Sequence, residues 1–155
     1  MGKVQVLAVL SMDGCLASEL YGKSYMEQHL DSYGITKIRE NALYHITPDY
    51  SISMLEEWRK NGTSSCYLAE ASPEKIDYIN GLLRMQVVDE IILYTVPSIA
   101  GTANHFFRTV LKPTLWTLVS QKKYPNGVTC HIYQRMASDK ADLKKLTIRL
   151  LKYRK

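Results

Sequence analysis

Apolar positions along this chain come in short separate bursts, and the period of each burst predicts an element. Residues 4–10 (VQVLAVL) form a nearly continuous Val-rich run ending at Asp13-Gly14. Its length and β-branched content predict a buried parallel strand rather than a helix. Residues 24–33 read as a short amphipathic helix stopped by Gly34, and residues 35–52 show no clear period. Residues 53–61 (SMLEEWRKN) predict a helix with Ser53 as its cap and Gly62 beyond its end. Residues 66–69 predict a short strand. Ser72-Pro73-Glu74 then supplies an N-cap, a proline at the first helical position and an acid in the first turn. Ile76, Ile79, Leu82 and Leu83 follow at helical spacing, so a helix is predicted over 73–84 and a strand over 87–96. Strand, helix and strand in about 30 residues make a βαβ unit with a right-handed crossover.

The last third has a different pattern. Residues 115–122 and 128–134 flank Pro125-Asn126-Gly127. Asn-Gly accepts the positive φ angles of a type I′ turn, so these two runs predict an antiparallel hairpin. Residues 139–153 predict a basic amphipathic helix with Leu143, Leu146, Leu150 and Tyr153 on one stripe. There is no internal repeat and no low-complexity tract. The expected fold is α/β: one domain over 1–135 with a mixed, mostly parallel sheet flanked by helices, closed by the hairpin, and a basic C-terminal helix over 136–155.

Composition narrows the class. With 155 residues, 46% hydrophobic and 23% charged, the chain has the make-up of one globular domain and not of a disordered segment. Such a domain buries roughly 70% of its unfolded surface and needs no staple. Three cysteines (Cys15, Cys66, Cys130) at irregular spacing, without CxxC, read as reduced thiols. No stretch reaches the roughly 18 apolar residues of a membrane span, and no secretory signal opens the chain. A cytoplasmic protein is expected. The net charge of +5 is uneven: residues 135–155 hold 8 basic and 2 acidic side chains, leaving 12 basic and 13 acidic before them. Any contact with nucleic acid or an anionic membrane would rest on that tail, and a lysine-rich solvated face on a docked helix accounts for it better.

Candidate chemistry is sparse. His29, His45, His105 and His131 are isolated, so no metal site is expected. No G-x-S-x-G or G-x-x-x-x-G-K motif occurs, and the cysteines read as packed thiols. Two places stand out. Asp13-Gly14 lies where the first strand ends, the side on which open α/β sheets bind ligands, although Asp-Gly is also an ordinary turn pair. Ala69-Glu70-Ala71-Ser72-Pro73 feeds a strand end into a helix start, a natural seat for phosphate. It lacks glycine, and Pro73 removes one N–H donor.

Leu10-Ser11-Met12-Asp13-Gly14-Cys15-Leu16-Ala17 resembles the S-[LMV]-D-G-x-[IL]-A segment of dihydrofolate-reductase-like proteins. Val88-Asp89-Glu90-Ile91, continuing to Pro97-Ser98-Ile99-Ala100-Gly101 and Phe106-Phe107, resembles the V-D-E-[LI] strand and P-x-[LI]-x-G turn of that family. The nearest branch is the C-terminal reductase domain of the bifunctional riboflavin-biosynthesis deaminase-reductase. The resemblance covers residues 1–17 and about 64–135, closing hairpin included. It implies hydride transfer from NADPH to a pterin-like or ribosylated pyrimidine, and a homodimer. Ala8, Ser11, Asp13 and Gly14 would line the cleft where cofactor and substrate meet, with Asp13 the candidate proton donor. Glu70, Ala71 and Ser72 fall on the cofactor loop E-G-G, and Pro97 and Gly101 on the turn at the substrate side.

Departures from that pattern open a second reading. Ala71 and Ser72 stand where two glycines belong, and a β-carbon there can oppose a positive φ or a close phosphate. No G-R-x-T-like turn occurs in 18–63, a stretch that looks too short for the usual strand and helix. The alternative is a member that keeps the fold and binds another ligand or a protein, without hydride chemistry.

Overall fold

The computed structural model describes residues 2–18, 30–61, 65–102, 104–108 and 111–136. The predicted helices at 24–33 and 139–153 lie largely or wholly outside them. The described strands are β1 (Lys3–Leu10), β2 (Tyr44–His45), β3 (Cys66–Glu70), β4 (Glu90–Thr95), β5 (Trp116–Lys123) and β6 (Thr129–Arg135). The described helices are α1 (Ile35–Asn41), α2 (Ile52–Asn61) and α3 (Ile76–Arg84). The sheet order is β2-β3-β1-β4-β6-β5. β1 is parallel to both β3 and β4, β2 is parallel to β3, and β6 runs antiparallel to β4 and β5. This is the mixed, mostly parallel sheet the pattern predicts.

The central strand is apolar on both faces because helices cover both. Val4, Val6, Ala8 and Leu10 of β1 share a layer with Leu55 of α2 and with Ile76, Ile79 and Leu82 of α3. Leu7 packs in the opposite layer with Leu68, Ile92, Tyr94, Ile35 of α1, Val128 and Cys130. Each fully buried aliphatic side chain stabilises the fold by roughly 1.5–3 kcal/mol as an upper figure. β5 is an edge strand, with Leu118 and Val119 exposed beside a register irregularity.

Several boundaries differ from expectation for local reasons. α2 begins at Ile52, and Ser51, not Ser53, caps it: the Met54 N–H donates to Ser51 Oγ at 3.2 Å. Ser72 makes no side-chain cap, because the Lys75 N–H is already taken by the Ser72 carbonyl at 3.0 Å in a tight first turn, Pro73–Lys75. Val87 and Val88 are buried but precede β4, since the Val87 N–H closes back onto Leu82 O and Gln86 takes φ 58°. Asn126 (φ 66°) and Gly127 (φ 79°) take the positive angles predicted for the hairpin, with Pro125 added to the loop between Tyr124 and Val128. Residues 18–63, expected to be too short for a strand and helix, contain α1, β2 and α2. Their brevity hides them: α1 has 7 residues and β2 only 2.

Candidate functional site

The chain leaves β1 into a turn fastened by side chains. Ser11 is buried, donates its hydroxyl to Asp13 Oδ1 and accepts the Cys15 N–H at 3.1 Å. Asp13 also accepts the Ala100 N–H on Oδ1 and the Gly101 N–H on Oδ2, each at 2.9 Å. The carboxylate thus ties the end of β1 to the loop after β4. Gly14 (φ 81°) and Gly101 (φ 70°) turn the backbone where a side chain would be strained. A third segment joins this knot, with His105 Nδ1 2.9 Å from the Asp13 carbonyl and the Phe106 N–H donating to Gly14 O at 2.8 Å.

Four predicted residues, Ser11, Asp13, Gly14 and Gly101, are therefore brought together. Pro97 sits on the same loop but against the hairpin: a β-carbon on Gly127 would lie 3.2 Å from Pro97 Cγ. The Ser11 hydroxyl, then the two backbone N–H groups, hold the Asp13 carboxyl well below the usual carboxylate range. At neutral pH Asp13 is an ionised acceptor without a proton to give, so the proton-donor role expected of it does not suit this geometry.

Beside this knot opens a cleft of about 710 Å³, within the size range of small-molecule sites. Its floor is apolar, built from Leu7 and Val9 of β1 with Leu16, Leu30 and Ile35. Its rim holds Asp31, Arg39, Glu70, Ser72, Glu74 and Lys75. Ala8 does not line it. Side chains alternate along β1, so Ala8 is buried in the α2–α3 layer while Leu7 and Val9 face the cleft. The second half of β1, residues 6–10, is apolar at every position and gives no signal of which parity faces a ligand.

Glu70, at the end of β3, is held by Arg39 of α1. Nε donates to both carboxylate oxygens at 3.2 Å and a terminal nitrogen donates to Oε1. A second terminal nitrogen of Arg39 lies 3.6 Å from Asp31. Sequence reading missed Arg39 because its helix has too few residues to show a period. Ala71 and Ser72 need no glycine: among the described residues only Gln86 and Asn126 are non-glycine residues with positive φ. The Ala71 N–H is taken by Leu7 O at 2.8 Å, so that donor belongs to the sheet. The loop after β2, residues 46–51, carries Asp49 and neither Lys nor Arg.

Asn80 is another residue that sequence reading passed over, since it stands within the apolar stripe of α3. It is buried, donates to Ile76 O at 2.9 Å and Phe106 O at 2.8 Å, and accepts the Arg108 N–H at 3.0 Å. It anchors the segment that holds the Asp13 turn.

A parallel sheet centred on β1, an antiparallel closing hairpin and a cleft at the carboxyl ends of β1 and β3 define the dihydrofolate-reductase-like fold. The chain is similar to a protein assigned to riboflavin biosynthesis from Shewanella sp. PV-4 (TM-score 0.56, 12% identity, covering 87% of this chain and 99% of that one). It is similar to RibD of Acinetobacter baumannii (TM-score 0.54, 12% identity, 88% of this chain and 58% of that one). It is also similar to the dihydrofolate reductase of Enterococcus faecalis in complex with NADP(H) (TM-score 0.54, 10% identity, 87% and 97%). No protein-family model matches the sequence, and no curated protein matches it. Among the described residues no helix is long and apolar enough to cross a membrane.

Ser72, extended at φ −146°, and Lys75 stand on the rim of the cleft at the start of the turn into α3.

Proposed function

We propose that the protein is a reductase that holds a pterin-like or ribosylated pyrimidine ring in this cleft and reduces it with a reduced nicotinamide dinucleotide, NADPH being the donor the resemblance implies. The observation that carries this reading is the cleft itself: an apolar floor with a polar rim, at the carboxyl ends of β1 and β3. The dinucleotide, when bound, supplies the hydride. The chain's own part is positioning. Leu7, Val9 and Leu16 give the rings a dry surface, Ser72 and Lys75 meet phosphate, and Asp13 acts as a positioning residue that fixes the loop at 97–101.

The resemblance also supports a homodimer, the unpaired cysteine pattern a cytoplasmic location, and the charge pattern a body at 1–135 with a basic tail at 136–155; sedimentation would report the oligomeric state. A second reading, a fold member that binds a ligand without hydride chemistry, is favoured by the Ala71 N–H being committed to Leu7 O. Thermal unfolding with millimolar NADH or NADPH separates the two. Saturation at 100 times Kd adds about 2.7 kcal/mol to the native state and raises Tm by several degrees. A shift, with consumption of the reduced nucleotide once a pterin or aminopyrimidine is added, supports the reductase. No shift with either nucleotide removes it in favour of the second reading.

A further inference from the structure

The cleft lies on one face of the sheet, and the other face holds a second cavity, of about 370 Å³, that the proposed reaction does not use. Its floor is Ile91 and Leu93 of β4, Tyr133 of β6 and Trp116 of β5, and its walls include Leu83 at the end of α3 and Phe107. Strand register carries this floor outward. Ile91 pairs with Tyr133, and Tyr133 with Leu118, so the three side chains form one apolar row across β4, β6 and β5. Ile91 is 5% exposed, whereas Leu118, at the edge, is 46% exposed. The described helices of this face, α2 and α3, share their layer with β1. An apolar row running out to a half-exposed leucine is the kind of sheet face that a helix covers in an α/β domain.

The chain itself arrives at this face. The Met136 N–H donates to the Leu115 carbonyl at 3.1 Å, next to Trp116. The segment 137–155, which lies outside the described residues, therefore starts at the edge of the cavity. We propose that Leu143, Leu146 and Leu150 of this segment dock on the Ile91–Tyr133–Leu118 row of their own chain and fill the cavity, an inference independent of the reductase reading. The lengths agree: a helix over 139–153 would measure about 22 Å, and the seven residues of β6 extend about 23 Å. Ala137 and Ser138 are enough to reverse the chain, since strand-to-helix loops of 2–6 residues are usual. Asp139, one turn before Leu143 on the same stripe, would meet the cations Arg84 and Lys112 that line the cavity.

The test uses the full chain carrying W58F, which keeps an aromatic ring at 58 and leaves Trp116 as the sole tryptophan. Acrylamide quenching of Trp116 should rise about twofold or more when Leu143, Leu146 and Leu150 are all changed to serine. It should stay unchanged in K145A/K152A, on the opposite side of the predicted helix. A rise in both variants alike, or in neither, overturns the docking and leaves the face to another occupant. Protection of Trp116 that fades as the protein is diluted about a hundredfold puts a second copy's segment on this face, and overturns docking within one chain. Should the triple variant not fold, a double-mutant cycle of L118A and L146A in the wild-type background replaces it. Their losses in urea midpoint should then be less than additive, because each substitution removes the same contact, and additive losses overturn the proposal.

Discussion

Replacing Asn80 by alanine should destabilise the fold and loosen the site. The side chain is 3% exposed, and its three hydrogen bonds join α3 to the segment containing Phe106 and Arg108. The Ile76 carbonyl lies in α3 and retains the helix's own ladder as partner. The substitution therefore strands two groups, the Phe106 carbonyl and the Arg108 N–H. A buried polar group left without a partner costs about 1–3 kcal/mol. Phe106 is fully buried and Arg108 only partly so, which puts the total at about 2–4 kcal/mol. For a domain of this size that lowers Tm by about 4–16 °C. Urea denaturation followed by circular dichroism should show the midpoint falling with an unchanged slope. D77A, at an exposed position of the same helix, should stay within about 0.5 kcal/mol of wild type. Phe106 and His105 also hold the turn at Gly14 and Asp13, so nucleotide affinity should weaken in the same variant. A loss under about 1 kcal/mol would refute this account of Asn80 as an anchor.

Three further outcomes follow from the same geometry. Asp13 has a lowered pKa in the folded state, so its contribution to stability is complete above the unfolded value of about 3.9 and is lost as pH falls through the folded value. The stability difference between wild type and D13N should shrink in acid, and denaturation curves that keep a constant gap from neutral pH down to the acid limit would contradict it. G127A places a β-carbon at φ 79° and 3.2 Å from Pro97 Cγ; a loss of about 1–2 kcal/mol is expected, read as a lowered melting temperature. Y94F removes a buried hydroxyl that donates to the Tyr33 carbonyl at 2.7 Å, and should cost about 1 kcal/mol in the same assay.

Where one element carried its own period, reading the chain was enough. The Val-rich run of β1, the stripe Ile76, Ile79 and Leu82 of α3, and Asn126-Gly127 between two strand runs each encode their structure within a few residues, because propensity, alternation and turn chemistry act locally. The fastened turn was legible in the same way: Ser11, Asp13 and Gly14 are adjacent in sequence, and their partner Gly101 belongs to a second recognisable motif. Elements of 7 and 2 residues, α1 and β2, are below the length at which a period shows.

What only the tertiary structure decided is which side chains meet across long separations. Arg39 reaches Glu70 from 31 positions away, and Asn80 reaches Phe106 across 26. The helices covering opposite faces of β1, α1 on one and α2 with α3 on the other, determine that Leu7 and Val9, rather than Ala8, face the cleft. No local pattern holds that information. Residues 6–10 of β1 are apolar at every position, and a surface arginine is compatible with any partner that the packing of distant elements brings within reach.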